Sequence, residues 1–275
     1  MKLHVLGALT LGTLILLGQG GPLSAAEKSK QSQEDIKRAI IRYKAGIGAN
    51  PNNAKTRMSL GQAYLVDGNL KGALEQFEAA SKIIPNKAEP YLGMARVHTR
   101  QKDDKQALKA LKEAVLRDPN NADIHYKLGQ MYLRLKDDKE SVKAYRKSIK
   151  LEPKFGPAHR ELGMVLGLMG QLDDQIYEEK KALEINPQDA EALYYLANAY
   201  LHKNKSEEAA KCLEKCVGLD GKNAEAFWLL SGIKAGQKKF DEALTSAQKA
   251  VEIRPSNQRF QKTLSKIRAA AEKNK

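Results

Sequence analysis

ADIHYKLGQMYLRLKDDKESVKAYRKSIKLEPKF, residues 122–155, reads as two amphipathic helices that meet at a Lys-Asp-Asp turn and end at a proline. Apolar residues recur at i, i+3, i+4 and i+7 in both halves, the spacing of a helix with one buried face. Pro153 has counterparts at Pro51, Pro85, Pro119, Pro187 and Pro255, each 34 residues or a multiple of 34 away. The one open slot holds Gly221, the other strong helix breaker. A 34-residue period belongs to helix–turn–helix solenoids, whose units stack into an extended surface that holds other molecules.

With the residue three after each proline as position 1, six repeats follow: 54–87, 88–121, 122–155, 156–189, 190–223 and 224–257. Position 8 is small throughout: Gly61, Ala95, Gly129, Gly163, Ala197 and Ser231. So are most residues at positions 20 and 27. Position 7 is Leu or Met, and position 24 carries Phe77, Leu111, Tyr145, Glu179, Leu213 and Ala247. Antiparallel helices approach closely only where one presents small residues and the other fills the gap. Asn53, Asn121, Asp189 and Asn223 precede first helices as N-caps, and Asn69, Asp103 and Asp137 precede second helices. Each proline closes a second helix, because it cannot continue the hydrogen-bond ladder.

These repeats resemble the tetratricopeptide repeat family over residues 54–257, about three-quarters of the chain. The resemblance implies an all-α, right-handed α-solenoid of helix–turn–helix units. Residues 27–53 are expected to hold a half-repeat helix, the second helix of a preceding copy, with Ala39 and Tyr43 at positions 20 and 24. Residues 258–275 are expected to form a C-terminal capping helix and basic tail, with Leu264 at position 7. Two repeats depart from the pattern. Repeat 4 carries Gln175 and Glu179 at positions 20 and 24 and Gly163, Gly167 and Gly170 in its first half, so a looser step is expected there. Repeat 6 carries Lys234 at position 11 beside Gly232 and Gly236, so weaker packing is expected.

Residues 1–26 read as a cleaved signal peptide: Lys2, an apolar run from Val5 to Gly18, a Gly-Gly-Pro break, and small residues Ser24-Ala25-Ala26 before Glu27. The run is short against the roughly 20 residues that span a bilayer. The expectation is an exported bacterial protein, soluble in the periplasm or cell envelope after cleavage. Retention of the segment as a membrane anchor is the alternative.

The net charge of +14 is uneven. Repeat 3 has nine Lys/Arg against five Asp/Glu, or +4; repeat 4 has three against seven, or −4; the residues after Asn257 have six against one, or +5. Such a basic tail suits a membrane face or an acidic partner. Nucleic acid is not expected, since no recognition signature accompanies the charge and the chain reads as exported. Cys212 and Cys216 lie one helical turn apart, where a disulfide would be strained, and match no haem or zinc spacing. The histidines are dispersed, with His125 and His159 at position 4 between repeats. No nucleophile–base grouping, phosphate loop or metal motif is present, so no catalytic residue, metal or cofactor is expected.

In the family resembled, first helices line the concave face. Positions 2, 5, 9 and 12 form the stripe opposite the packed one. Position 5 reads Met58, Leu92, Tyr126, Arg160, Tyr194 and Trp228, and position 9 includes Arg96, Gln130 and Asn198. These nine are the expected partner-binding residues, because Tyr, Trp and Arg dominate interface energetics. The Lys/Asn pair by which some family members clamp chaperone tails is absent at positions 5 and 9. The expected function is a non-catalytic scaffold that binds an extended or helical protein segment in its groove, within an envelope or secretion assembly. A membrane-anchored or membrane-surface organiser that self-assembles through its repeats is the alternative.

Overall fold

A computed structural model describes residues 25–274. Residues 1–24, most of the expected signal segment, lie outside it, as does Lys275. The described residues form helices joined by short turns. A long α1 (Ala25–Ala49) precedes six hairpins: α2 (Ala54–Asp67) with α3 (Leu70–Ile83), α4 (Glu89–Arg100) with α5 (Asp104–Arg117), α6 (Ala122–Arg134) with α7 (Asp138–Leu151). The series continues with α8 (Gly156–Leu168) and α9 (Leu172–Ile185), α10 (Ala190–His202) and α11 (Ser206–Leu219), α12 (Ala224–Gly236) and α13 (Phe240–Ile253), and ends in α14 (Gln258–Lys273). Helices pack on their neighbours in chain order, with further contacts such as α2 on α4 and α8 on α10. That is an all-α solenoid, stabilised by neighbour contacts and not by one central core.

The seven side-chain caps read from the sequence all form. Asn53, Asn121, Asp189 and Asn223 accept from the backbone N–H three residues on, as do Asn69, Asp103 and Asp137. Every second helix stops two residues before its proline or, for α11, before Gly221. The turn inside each hairpin uses one left-handed residue, always at position 15: Gly68, Lys102, Lys136, Gly170, Asn204 and Lys238.

Within a hairpin, position 8 meets position 24 with matched volumes. A Cβ on Gly61 would sit 2.8 Å from the Phe77 ring, and one on Gly129 would sit 2.6 Å from the Tyr145 ring. Where position 24 is Leu, in repeats 2 and 5, position 8 grows to Ala; where it shrinks to Ala247, position 8 is Ser231. The sum is nearly held in repeats 1, 2, 3 and 5 and is smaller in repeats 4 and 6.

Between hairpins, positions 3 and 10 of each first helix pack on the preceding second helix, and Ile124, Val97, Met131, Val165 and Ala199 are buried there. Several position-4 side chains also reach back to the preceding proline carbonyl. Arg57 donates to Pro51 (2.8 Å) and Gln261 to Pro255 (2.6 Å). His125 and His159 bond Pro119 (2.9 Å) and Pro153 (3.1 Å).

The two ends follow the same logic. Among the described residues no first helix faces Ala39 and Tyr43 of α1, and both are half-exposed, while Ile40 is buried against the next hairpin. In α14 Leu264 is half-buried, and Phe260, Ile267 and Ala271 make the close contact.

The two departing repeats are packed. Glu179 and Gln175 are buried, and the glycines opposite make room: a Cβ on Gly163 would lie 2.6 Å from Glu179 Oε1, and one on Gly167 would collide with Gln175. Gln175 donates to the Tyr195 carbonyl (3.1 Å). Lys234 buries its stem and sets its ammonium between Glu214 and Glu242, 2.6 Å from each. In repeat 4 the glycines therefore make room for the polar residues, whereas in repeat 6 two glutamates balance Lys234 and a Cβ on Gly232 or Gly236 would meet nothing within 4 Å.

Candidate functional site

The first helices bring their exposed stripes together along one face, and two regions of it are concave. The N-terminal region is a cavity of about 560 Å³ that crosses α2, α4, α6 and α8. Leu92, Arg96 and Gln130 line it, with Leu65, Thr99 and Leu133 from position 12. The C-terminal region has two cavities, about 520 and 380 Å³, on either side of Trp228. Tyr194, Asn198 and Leu201 line the smaller, and Leu229 lines both.

Six of the nine expected partner-binding residues therefore face open space: Leu92, Arg96, Gln130, Tyr194, Asn198 and Trp228. The other three are placed differently. Met58 packs with Leu65, Phe77 and Val97. Tyr126 lies edge-on to Phe155 (5.0 Å between ring centres) and tilted against Tyr145 (5.8 Å). Its hydroxyl accepts from Gln130 (3.0 Å), and burial pushes its pKa up. Arg160, with a side chain only 18% exposed, meets Asp189 (2.9 Å), Glu191 (3.2 Å) and Glu161 (3.2 Å).

Trp228 has two roles. Its ring stacks on Phe260 (6.1 Å), Arg259 lies over it at 3.7 Å, and its indole N–H donates to Thr263 (2.9 Å). It thus seats α14 with one face and separates the two C-terminal cavities with the rest.

Spacing alone missed several lining residues. Arg100 and Arg134 hold position 13, and Lys127, Glu161 and Leu229 hold position 6. Positions 6, 9 and 13 lie three and four apart, so they share a helix face beside the stripe that was read. Tyr145 also reaches the N-terminal cavity from a second helix, which no first-helix stripe contains.

The cysteines are free thiols. Cys216 is buried and donates to the Ala190 carbonyl (3.2 Å), and desolvation raises its pKa to about 11. Ser148 bonds the Ala122 carbonyl from the same position (2.8 Å). Among the described residues no cluster of three or more His, Cys, Asp or Glu side chains is placed to hold a metal ion, and no helix is long and apolar enough to cross a membrane.

Tetratricopeptide repeat models match residues 28–88, 65–131, 122–155, 180–211 and 203–258. Among solved structures, Pseudomonas aeruginosa PilF superposes with a TM-score of 0.69 at 19% identity, over 78% of this chain and 97% of PilF. A chain of the APC/C hetero-tetramer Cut9–Hcn1 gives 0.65 at 18% identity over 86% of this chain; this chain spans only 46% of that one. YrrB gives 0.57 at 22% identity, over 67% and 95% of the two chains. These are likenesses of fold. No curated protein matches the chain significantly. Repeat period, hairpin packing and matched models agree: the chain belongs to the tetratricopeptide repeat family.

Proposed function

We propose that the chain is a non-catalytic scaffold that holds an extended or helical segment of a partner protein in its concave groove, as part of an envelope or secretion assembly. The fold is that of a protein-interaction scaffold. The observation that carries the reading is the groove itself: position-5, -9 and -12 side chains of successive first helices line cavities at both ends of one face. YrrB is described as having an unusual peptide-binding site, and Cut9 as part of a hetero-tetramer, so proteins of this fold do hold partners. Export to the periplasm or envelope belongs to the proposal and rests on the apolar run Val5–Gly18 and the small residues that follow it.

The test is in-cell photo-crosslinking with the probe at Gln130 or Asn198 in the groove, at Lys109 on a second helix, or at Lys266 in the basic tail. The expected result is a discrete adduct from the groove positions alone. Adducts only from Lys109 or Lys266 would overturn the groove reading. N-terminal sequencing of the native protein is expected to start near Glu27; recovery of Met1 in a membrane fraction would overturn the exported, soluble form.

A further inference from the structure

We propose that the N-terminal half of the groove is a receptor for the acidic stretch of a partner segment, one that presents several Asp or Glu side chains to α4 and α6. The proposal rests on the groove reading above and adds the chemistry of what the groove holds.

Charge is the first argument. Four cations line the N-terminal cavity, Arg96, Arg100, Lys127 and Arg134, against one carboxylate, Glu161. Three of the five are balanced within the chain: Lys127 by Asp123 (2.6 Å), Arg134 by Asp104 (2.7 Å), and Glu161 by Arg160 (3.2 Å). Among the described residues, Arg96 and Arg100 have no such partner. Arg96 donates to the amide of Gln62 (2.7 Å), and Arg100 to the backbone carbonyl of Leu65. Each guanidinium has five donors, so both keep free N–H groups with no anion to meet.

The donors set the sign of what the cavity takes. A carboxylate accepts from the free guanidinium N–H groups, whereas a cationic or wholly apolar ligand would leave them unmet.

Shape selects a protein segment among anions. The cavity also carries Leu65, Leu92, Leu111 and Met131, a lining suited to interleaved acidic and apolar side chains. A flat anionic membrane does not enter a concave face, and a phosphate backbone does not use an aliphatic floor. The C-terminal cavities carry no comparable basic group beyond Arg259, which is stacked on Trp228. The groove is thus chemically directional, basic at one end and apolar-aromatic at the other.

The experiment is selection of a random peptide library on the purified full chain, on the Arg96→Glu/Arg100→Glu variant, and on Tyr194→Ala. The expected result is an excess of Asp and Glu in peptides from the wild type that vanishes or turns to Lys and Arg on the charge-reversed variant. A selected peptide should bind about tenfold or more weakly to Arg96→Gln/Arg100→Gln, and weaken at least about tenfold between ~0.05 and ~0.5 M NaCl. The salt titration uses the wild type, so it decides the matter even where a variant melts early. Peptides without acidic excess that still need Tyr194 would overturn the proposal and leave the groove reading intact. Peptides indifferent to both sets of variants would overturn both. Failure to recover any peptide, flat salt dependence, or equal displacement of the peptide by oligothymidine would each overturn the proposal.

Discussion

Repeats 3 and 4 are neighbours built on one plan, yet they fill the same crossing with opposite chemistry. In repeat 3, Gly129 faces the ring of Tyr145, and the hydroxyl of Ser141 bonds the Gly129 carbonyl. In repeat 4, Gly163 faces the carboxyl of Glu179, and Gly167 faces Gln175. Both position-24 side chains are fully buried. Tyr145 presents mostly carbon to its surroundings. Glu179 presents two oxygens with no hydrogen-bond partner, and desolvation raises its pKa to about 10, so the folded protein holds it as the neutral acid at pH 7. The fold tolerates either filler because the glycine opposite fixes the available volume. The energetic content of the two crossings is nevertheless different.

The largest expected effect follows from that. Tyr145→Ala empties a close-packed crossing and should cost about 3–5 kcal/mol in urea unfolding, in line with large aromatic truncations. Glu179→Met keeps the shape and removes a desolvated polar group, so it should be neutral or stabilise by about 1–3 kcal/mol. Similar losses from both would break the contrast between the repeats.

The pH dependence sharpens it. Below the ordinary carboxylate range, Glu179 is protonated in folded and unfolded chains alike, and it adds no pH dependence. Above that range the unfolded chain releases the proton while the folded protein keeps it up to about 10. In this window the folded state binds one proton more, so stability falls as pH rises, by at most about 1.4 kcal/mol per pH unit. His159, raised by its contact with Glu178 (2.6 Å) against opposing desolvation, slopes the same way but is common to both proteins. Asp189, Arg160, Glu161 and Glu178 act electrostatically on Glu179 in both as well. The melting temperature of Glu179→Met should therefore decline less than that of the wild type between pH 5 and 9; parallel declines would show that Glu179 ionises freely when folded.

A smaller difference is expected at position 8. A Cβ at residue 129 meets a rigid ring, whereas one at residue 163 meets the end of a flexible side chain, each at 2.6 Å. Gly129→Ala should cost about 1–3 kcal/mol. Gly163→Ala should fall near zero, since the helix gains about 1 kcal/mol from alanine. Equal costs in denaturant unfolding would mean that Glu179 is as immobile as Tyr145. The smallest effect lies in the turns. Lys136 has φ of 60° where repeat 4 uses Gly170 at 76°. Lys136→Gly should stabilise by up to about 1 kcal/mol, and Gly170→Lys should lose a similar amount.

The helices, their caps and their ends were legible because each depends on local chemistry repeated at a fixed period. Asn53 and Pro85 do the same work in any such unit. The match between Gly163 and Glu179 was not legible as a match. Read one residue at a time, a mid-helix glycine and a polar core residue look like two defects; only their contact across the crossing makes them one feature. The left-handed lysines were hidden for a related reason, since the hairpin imposes a conformation that lysine would not choose. The groove was partly legible. Its stripe placed Leu92, Arg96, Gln130, Tyr194, Asn198 and Trp228 correctly toward open space, but period alone could not say that Arg160 is held by Asp189 and Tyr126 by Phe155. Nor could it find Tyr145, whose helix belongs to the other layer.

The bonds between position-4 side chains and proline carbonyls bear on how the array would respond to a pull. Arg57, His125, His159 and Gln261 each fasten a joint, and Arg117 fastens the one at Pro85 (3.1 Å). At the next two joints position 4 is Leu193 and Phe227, side chains without a donor, facing Pro187 and Gly221. Other polar contacts cross those two joints: Gln175 to the Tyr195 carbonyl (3.1 Å) and Arg160 to Glu191 (3.2 Å) at the first, and Lys234 to Glu214 (2.6 Å) at the second. A pull on the termini is therefore carried by a bond to the turn carbonyl at five joints, and by side chains running between helices at the two beside Tyr194 and Trp228.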